Sequence, residues 1–173
     1  MTWLNPNITV PVSPPVRGGA ANRSASRLLV IVGQFALDAD TANPRYGKRD
    51  RDGVPETLET ACNAFVRDCV RAMGVEVGGA RANDQVEWLS SEAARQRGWG
   101  EVSEHAATGC AEEGLPVIVG WHSRGAGPGH VAMVVPSLGE NGVWIAQAGG
   151  RCFSRGLLSS GFGSCAVTFW THP

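Results

Sequence analysis

The sequence predicts an α+β protein, with helices in the first part of the chain and an antiparallel sheet in the last part. In Leu28–Ala36, in the stretch from Cys62 to Met73 and in Ala82–Leu89, apolar residues recur at intervals of three and four, the period of one helical face. From Leu115 onward the period changes to short β-branched runs bounded by Gly and Pro, which is the pattern of strands. Helices grouped before strands, without regular alternation of the two, point to α+β layering. The 173 residues suffice for one domain with a real core. We expect residues 1–26 to form a Pro/Gly-rich arm and residues 27–173 to form the domain.

The arm is inferred from Pro6, Pro11, Pro14 and Pro15, followed by Gly18-Gly19, which favour extended backbone. In Arg27–Leu37, the residues Leu28, Ile31, Val32 and Phe35 fall on one helical face. Asn43–Gly47 reads as a turn, and Lys48–Gly53 as a charged loop. A helix then starts near Cys62, with Thr57 or Thr60 as N-cap and Gly74 as the residue that closes it. Its apolar positions are 62, 65, 66, 69, 70 and 73. Ala82–Leu89 is a short amphipathic helix with Trp88 and Leu89 turned inward. Residues 92–111 read as helix and loop. Four strands follow, at Leu115–Trp121, Gly129–Val135, Val143–Ala148 and Ser164–Trp170, and the first two are joined by a Gly-rich, hairpin-like connection.

Composition narrows the functional class. A net charge of −1 supplies no global attraction to nucleic acid or an anionic surface. No window approaches the roughly 18 apolar residues of a membrane span. Met1–Pro6 lacks the basic and apolar regions of a secretory signal, so synthesis in the cytoplasm and action after non-classical release or injection are expected. Six Trp beside one Tyr is an aromatic mix suited to clefts as well as cores, with Trp88, Trp99, Trp121 and Trp144 as candidate cleft walls. Five cysteines leave at least one unpaired, and a Cys152–Cys165 bridge is open. Asp38, Asp40, Asp50 and Asp52 could hold Ca²⁺, but their spacing lacks the EF-hand pattern, and a solvated acidic loop is the plainer reading. No cofactor or structural metal is expected, and the chain is expected to be a monomer.

The chemistry-bearing residues are few. A cysteine in the first turn of a helix sits at the positive end of the helix dipole, where its thiolate is favoured. The plain alternative is a buried structural thiol. His130 opens an apolar strand directly after a Pro-Gly turn and can take the thiol proton near neutral pH. Such an imidazole must be held in one tautomer, and Gln147, on the strand that returns beside it, is placed for that task. The oxyanion donors would be the Cys62 backbone N–H and Tyr46, with Asn63 and Trp121 as further substrate contacts. Taken singly, each residue also has an ordinary structural reading. His122 competes with His130 as the base. The absence of any Cys-x-x-Cys disfavours a thiol redox protein.

Three blocks, Cys62-Asn63-Ala64-Phe65-Val66, then Gly129-His130-Val131-Ala132-Met133-Val134-Val135, then Ile145-Ala146-Gln147-Ala148-Gly149, resemble the NlpC and CHAP type of papain-like cell-wall cysteine peptidases. The likeness extends to compact type VI secretion amidases and phage endolysins, where a segment like Arg81–Leu89 also separates Cys from His. It covers roughly residues 28–172. It implies a papain-like fold with Cys-bearing helices packed on an antiparallel sheet, Cys62 as nucleophile and His130 as base. It also implies a peptidoglycan stem-peptide substrate, and a partner of immunity or holin type. Gln147 departs from the His, Asn, Glu or Asp usual in the orienting place, and Tyr46 lies farther from the Cys than that group's tyrosine. Two other readings on the same fold are a cysteine protease or amidase acting on proteins, and a non-catalytic module that binds cell wall.

Overall fold

A computed structural model describes residues 16–35, 37–38, 46, 61–125 and 127–173. Among these residues the chain forms helices α1 (Ala25–Gly33), α2 (Cys62–Ala72), α3 (Ala82–Leu89), α4 (Glu92–Gln96), α5 (Glu104–Glu112) and α6 (Leu158–Phe162). The strands are β1 (Gly100–Val102), β2 (Val117–Trp121), β3 (His130–Val135), β4 (Trp144–Gln147), β5 (Phe153–Leu157) and β6 (Thr168–Thr171). They build one antiparallel sheet in the order β1-β6-β2-β3-β4-β5. The class is α+β, as the change of period indicated.

Helix α2 buries Cys62, Phe65, Val66, Cys69 and Val70, the residues its spacing selects, and it packs chiefly on β3. Its end is a Schellman closure. Gly74 at φ +82° lets Val75 N–H donate to Val70 O at 3.0 Å and Gly74 N–H donate to Arg71 O at 3.1 Å. Its start corrects the expectation of a threonine cap. The N-cap position falls on Ala61, which offers no side-chain acceptor, while Thr57 and Thr60 lie outside the described residues. Asp68 is buried on the same helix and accepts the Tyr46 hydroxyl proton at 2.6 Å.

Strand β3 is buried from Val131 to Val135, because both faces of the central sheet are covered; this explains an unbroken apolar run in place of alternation. The Val86 side chain of α3 lies over one face at Gly120. Phe162 of α6 lies over the other at His130.

Three elements escaped the sequence reading. Strand β1 is only three residues long and exists by pairing with β6, from Gly100 opposite Thr171 to Val102 opposite Phe169. Strand β5 is a half-exposed edge whose Ser-Arg-Gly centre carries no apolar alternation. Helix α6 has five residues, too few to display a period. The last strand begins at Thr168, four residues later than Ser164, because Cys165 N–H still bonds back to Phe162 O.

Residues 16–26, assigned to the arm, are tied to the domain. Gly18 N–H donates to Ala72 O at 2.6 Å, and Val16 exchanges two bonds of 3.0 Å with the Gln34 amide. Residues 1–15 lie outside the described set, as do Asp40, Asp50 and Asp52 of the acidic loop. Asp38 accepts from Ser154 N and Oγ. No disulfide joins any of the five cysteines. Cys152 is buried with its thiol directed at Tyr46 O, whereas Cys165 is exposed, so the two do not pair. Among the described residues no helix is long and apolar enough to cross a membrane.

Candidate active site

The N-terminus of β3 and the C-termini of β2 and β4 meet at one end of the sheet. In the antiparallel register Trp121 stands opposite His130, so the two side chains share a face. Val134 opposes Ile145 on that same face. Since alternate residues of a strand point the same way, His130, Ala132 and Val134 on β3 share it with Ile145 and Gln147 on β4. Gln147 is therefore beside His130 for a reason of register.

The contact is direct: His130 Nε2 lies 2.8 Å from Gln147 Oε1. Gln147 is itself fixed, because its Nε2 donates to the Arg151 carbonyl at 3.1 Å. A carbonyl only accepts, so the amide nitrogen must face Arg151 and the amide oxygen must face the imidazole. The imidazole therefore donates from Nε2–H. Its proton is committed there, and Nδ1 carries the lone pair. Gln147 is 4% exposed, which keeps water from competing for either bond.

Burial holds the His130 pKa below the ordinary histidine value, opposed by the weaker effect of the Gln147 hydrogen bond. A neutral amide cannot offset that desolvation as a carboxylate would. The imidazole is therefore neutral at neutral pH, the state a proton acceptor needs. The His130 ring packs on Phe162, with centroids 4.8 Å apart, and Gly149 and Gly161 leave the space around the His130–Gln147 pair. A Cβ at Gly149 would stand 3.2 Å from His130 Cε1. Sequence reasoning did not find α6 or the Arg151 carbonyl. The only trace of α6's role is the adjacent Gly161-Phe162, a small residue beside a large one.

Cys62 is buried at the first position of α2. Among the described residues no hydrogen bond joins it to His130. The first turn of α2 nevertheless belongs to the His130 end of the sheet, through α3. The Asn63 side chain donates to Ala80 O, and Gln85 Nε2 donates to Asn63 O at 3.0 Å. Asn83 exchanges two bonds with Ser123, just after β2.

The remaining candidates separate clearly. Tyr46 is a core residue: it is 0% exposed, stacks edge-on with Phe35 and Phe65, and gives its one hydroxyl proton to Asp68. With that proton spent inside the core, Tyr46 is not an oxyanion donor. The Asn63 amide is likewise engaged by Ala80 O, which makes it a strut of the α2–α3 junction. His122 pairs on the surface with Glu87 at 2.8 Å, apart from the Gln147 network, and His172 bonds Arg97 O. Of the tryptophans, Trp99 is buried and donates to Glu76 O, Trp144 lies under the Arg155 guanidinium, and Trp88 packs by Gly78. Trp121 alone of these four is in register with His130. Among the described residues no group of three or more His, Cys, Asp and Glu is placed to hold a metal ion.

No protein-family model matches the chain, and no curated protein sequence is significantly similar to it.

Proposed function

We propose that the protein is a cysteine hydrolase of papain-like architecture that cleaves amide bonds in peptidoglycan stem peptides, with Cys62 as nucleophile and His130 as base. The observation that carries this reading is the Arg151 O–Gln147–His130 relay, which leaves Nδ1 as a proton acceptor in a half-buried, neutral imidazole. An exposed surface histidine needs no such two-step positioning. The substrate class rests on the resemblance of the Cys62, Gly129-His130 and Gln147 blocks to cell-wall peptidases, and the lytic or antibacterial role rests on the same likeness.

In this mechanism the Cys62 thiol proton passes to His130 Nδ1, and the thiolate attacks the scissile carbonyl carbon. The Cys62 backbone N–H, at the positive end of the α2 dipole, is the donor that meets the resulting oxyanion. Collapse breaks the C–N bond, and the imidazolium returns its proton to the departing amine. Water then attacks the thioester, losing a proton to Nδ1, and releases the acid with the thiol restored. Catalytic hydrogen bonds commonly tighten only once substrate is bound, and the mechanism requires Cys62 and His130 to come within hydrogen-bond reach in that complex.

The test is digestion of purified peptidoglycan by the wild type and by Cys62→Ala, with mass spectrometry of the fragments. Stem-peptide fragments from the wild type alone support the proposal, and their masses identify the bond. Equal release by both proteins removes Cys62 from the mechanism. If both proteins bind the wall and release nothing, the chain is a wall-binding module.

A further inference from the structure

Helix α3 carries two polar side chains whose bonds lead to the two halves of the candidate site. Gln85 is 0% exposed, a costly place for an amide unless its bonds matter. Its Nε2 donates to Asn63 O, in the residue after Cys62, while its Oε1 is buried with no hydrogen-bond partner among the described residues. Around this bond the Asn63 amide donates to Ala80 O and Arg67 donates to Gly79 O at 2.7 Å, so the start of α2 is sewn to the entry of α3.

Two residues before Gln85, the Asn83 amide grips the backbone of Ser123 at two points. Oδ1 accepts from Ser123 N at 3.0 Å, and Nδ2 donates to Ser123 O at 3.3 Å. The same amide presses on Gly129, where any Cβ would overlap Asn83 Oδ1. Gly129 is the residue before His130. Apolar packing by Val86 and Leu89 could hold α3 on the sheet without direction. Paired hydrogen bonds add what packing lacks, a defined orientation and separation.

We propose that α3 is a brace that sets the position of Cys62 relative to His130, with Asn83 and Gln85 as its positioning residues. The proposal rests on Cys62 and His130 being the nucleophile and base. The brace acts on rate through geometry: displacing either end moves the thiol away from Nδ1 without removing a reacting group.

The test is the pH profile of Cys62 alkylation by iodoacetamide, read by mass spectrometry of the Cys62 peptide in the full chain. The wild type is compared with His130→Ala, Asn83→Ala, Asn83→Asp and Gln85→Leu. Ser103→Ala, which removes the remote cap of α5, controls for loss of stability. The brace predicts that Asn83→Ala and Gln85→Leu slow alkylation at neutral pH by roughly tenfold or more and move the profile toward that of His130→Ala. Asn83→Asp, which keeps the acceptor for Ser123 N–H, should fall between. Ser103→Ala, with a lowered melting temperature, should keep the wild-type profile. If the wild type and His130→Ala coincide, the base assignment fails and the brace fails with it. If those two differ while both Asn83 variants track the wild type, the brace alone is overturned. A shift in Ser103→Ala as large as in Asn83→Ala would also overturn it.

Discussion

Gly161→Ala sets helix propensity against the orienting network. Gly161 lies inside α6 without a positive φ, so on propensity alone alanine should stabilise it by at most about 1 kcal/mol. Its surroundings say otherwise. A Cβ there would stand 2.8 Å from Ile145 Cδ1 and 3.1 Å from Gln147 Cδ, and it would overlap Gln147 Oε1, the atom that accepts from His130. Gln147 cannot retreat without releasing Arg151 O as well. Overpacking costs about 1–3 kcal/mol, and leaving the buried amide and imidazole N–H unsatisfied costs about 1–3 kcal/mol more. The expected net effect is a loss of about 1–5 kcal/mol in urea denaturation. Peptidoglycan hydrolysis should fall about 10²-fold as the base loses its fixed tautomer. Nitrogen NMR of the imidazole should show the Nε2–H form in the wild type and a mixture in the variant. Gly109→Ala, in the exposed middle of α5 with nothing within 4 Å of the new Cβ, is the control and should gain about 0.5–1 kcal/mol. If Gly161→Ala matched that gain and kept its activity and tautomer, the orienting role of Gln147 would be refuted.

Two further predictions concern residues whose surroundings are equally defined. Because the folded His130 pKa lies below the unfolded value, the unfolded chain binds the extra proton, so stability is intact at neutral pH and declines as pH falls below about 6.5. Urea midpoints measured across that range should fall less steeply in His130→Ala than in the wild type, and parallel curves would show that burial does not hold the imidazole neutral. Tyr46→Phe removes the hydroxyl bonded to buried Asp68 and should destabilise the protein by about 1.5–3 kcal/mol while leaving kcat unchanged; a large fall in kcat at retained stability would return Tyr46 to the reaction.

What the sequence determined by itself is what local periodicity encodes. The α2 face at 62, 65, 66, 69 and 70, its Gly74 terminus and the apolar runs of β2, β3 and β4 were legible, since burial of one helical stripe or of a covered strand leaves a direct trace in residue order. The nearness of Gln147 to His130 was also legible, because an antiparallel return between adjacent strands leaves little freedom of register. Tertiary structure alone decided the rest. Strand β1 forms only because β6 is there to pair with it, and α6 is too short to announce itself. Tyr46 was placed by chemistry at the site and by packing in the core, because a hydroxyl's partner depends on distant neighbours and here that partner is Asp68. Asn83 and Gln85 read as ordinary polar residues of a short helix. Their bonds to Ser123 and Asn63 span 40 and 22 residues of chain, a separation over which sequence carries no period and only the folded backbone brings donor to acceptor.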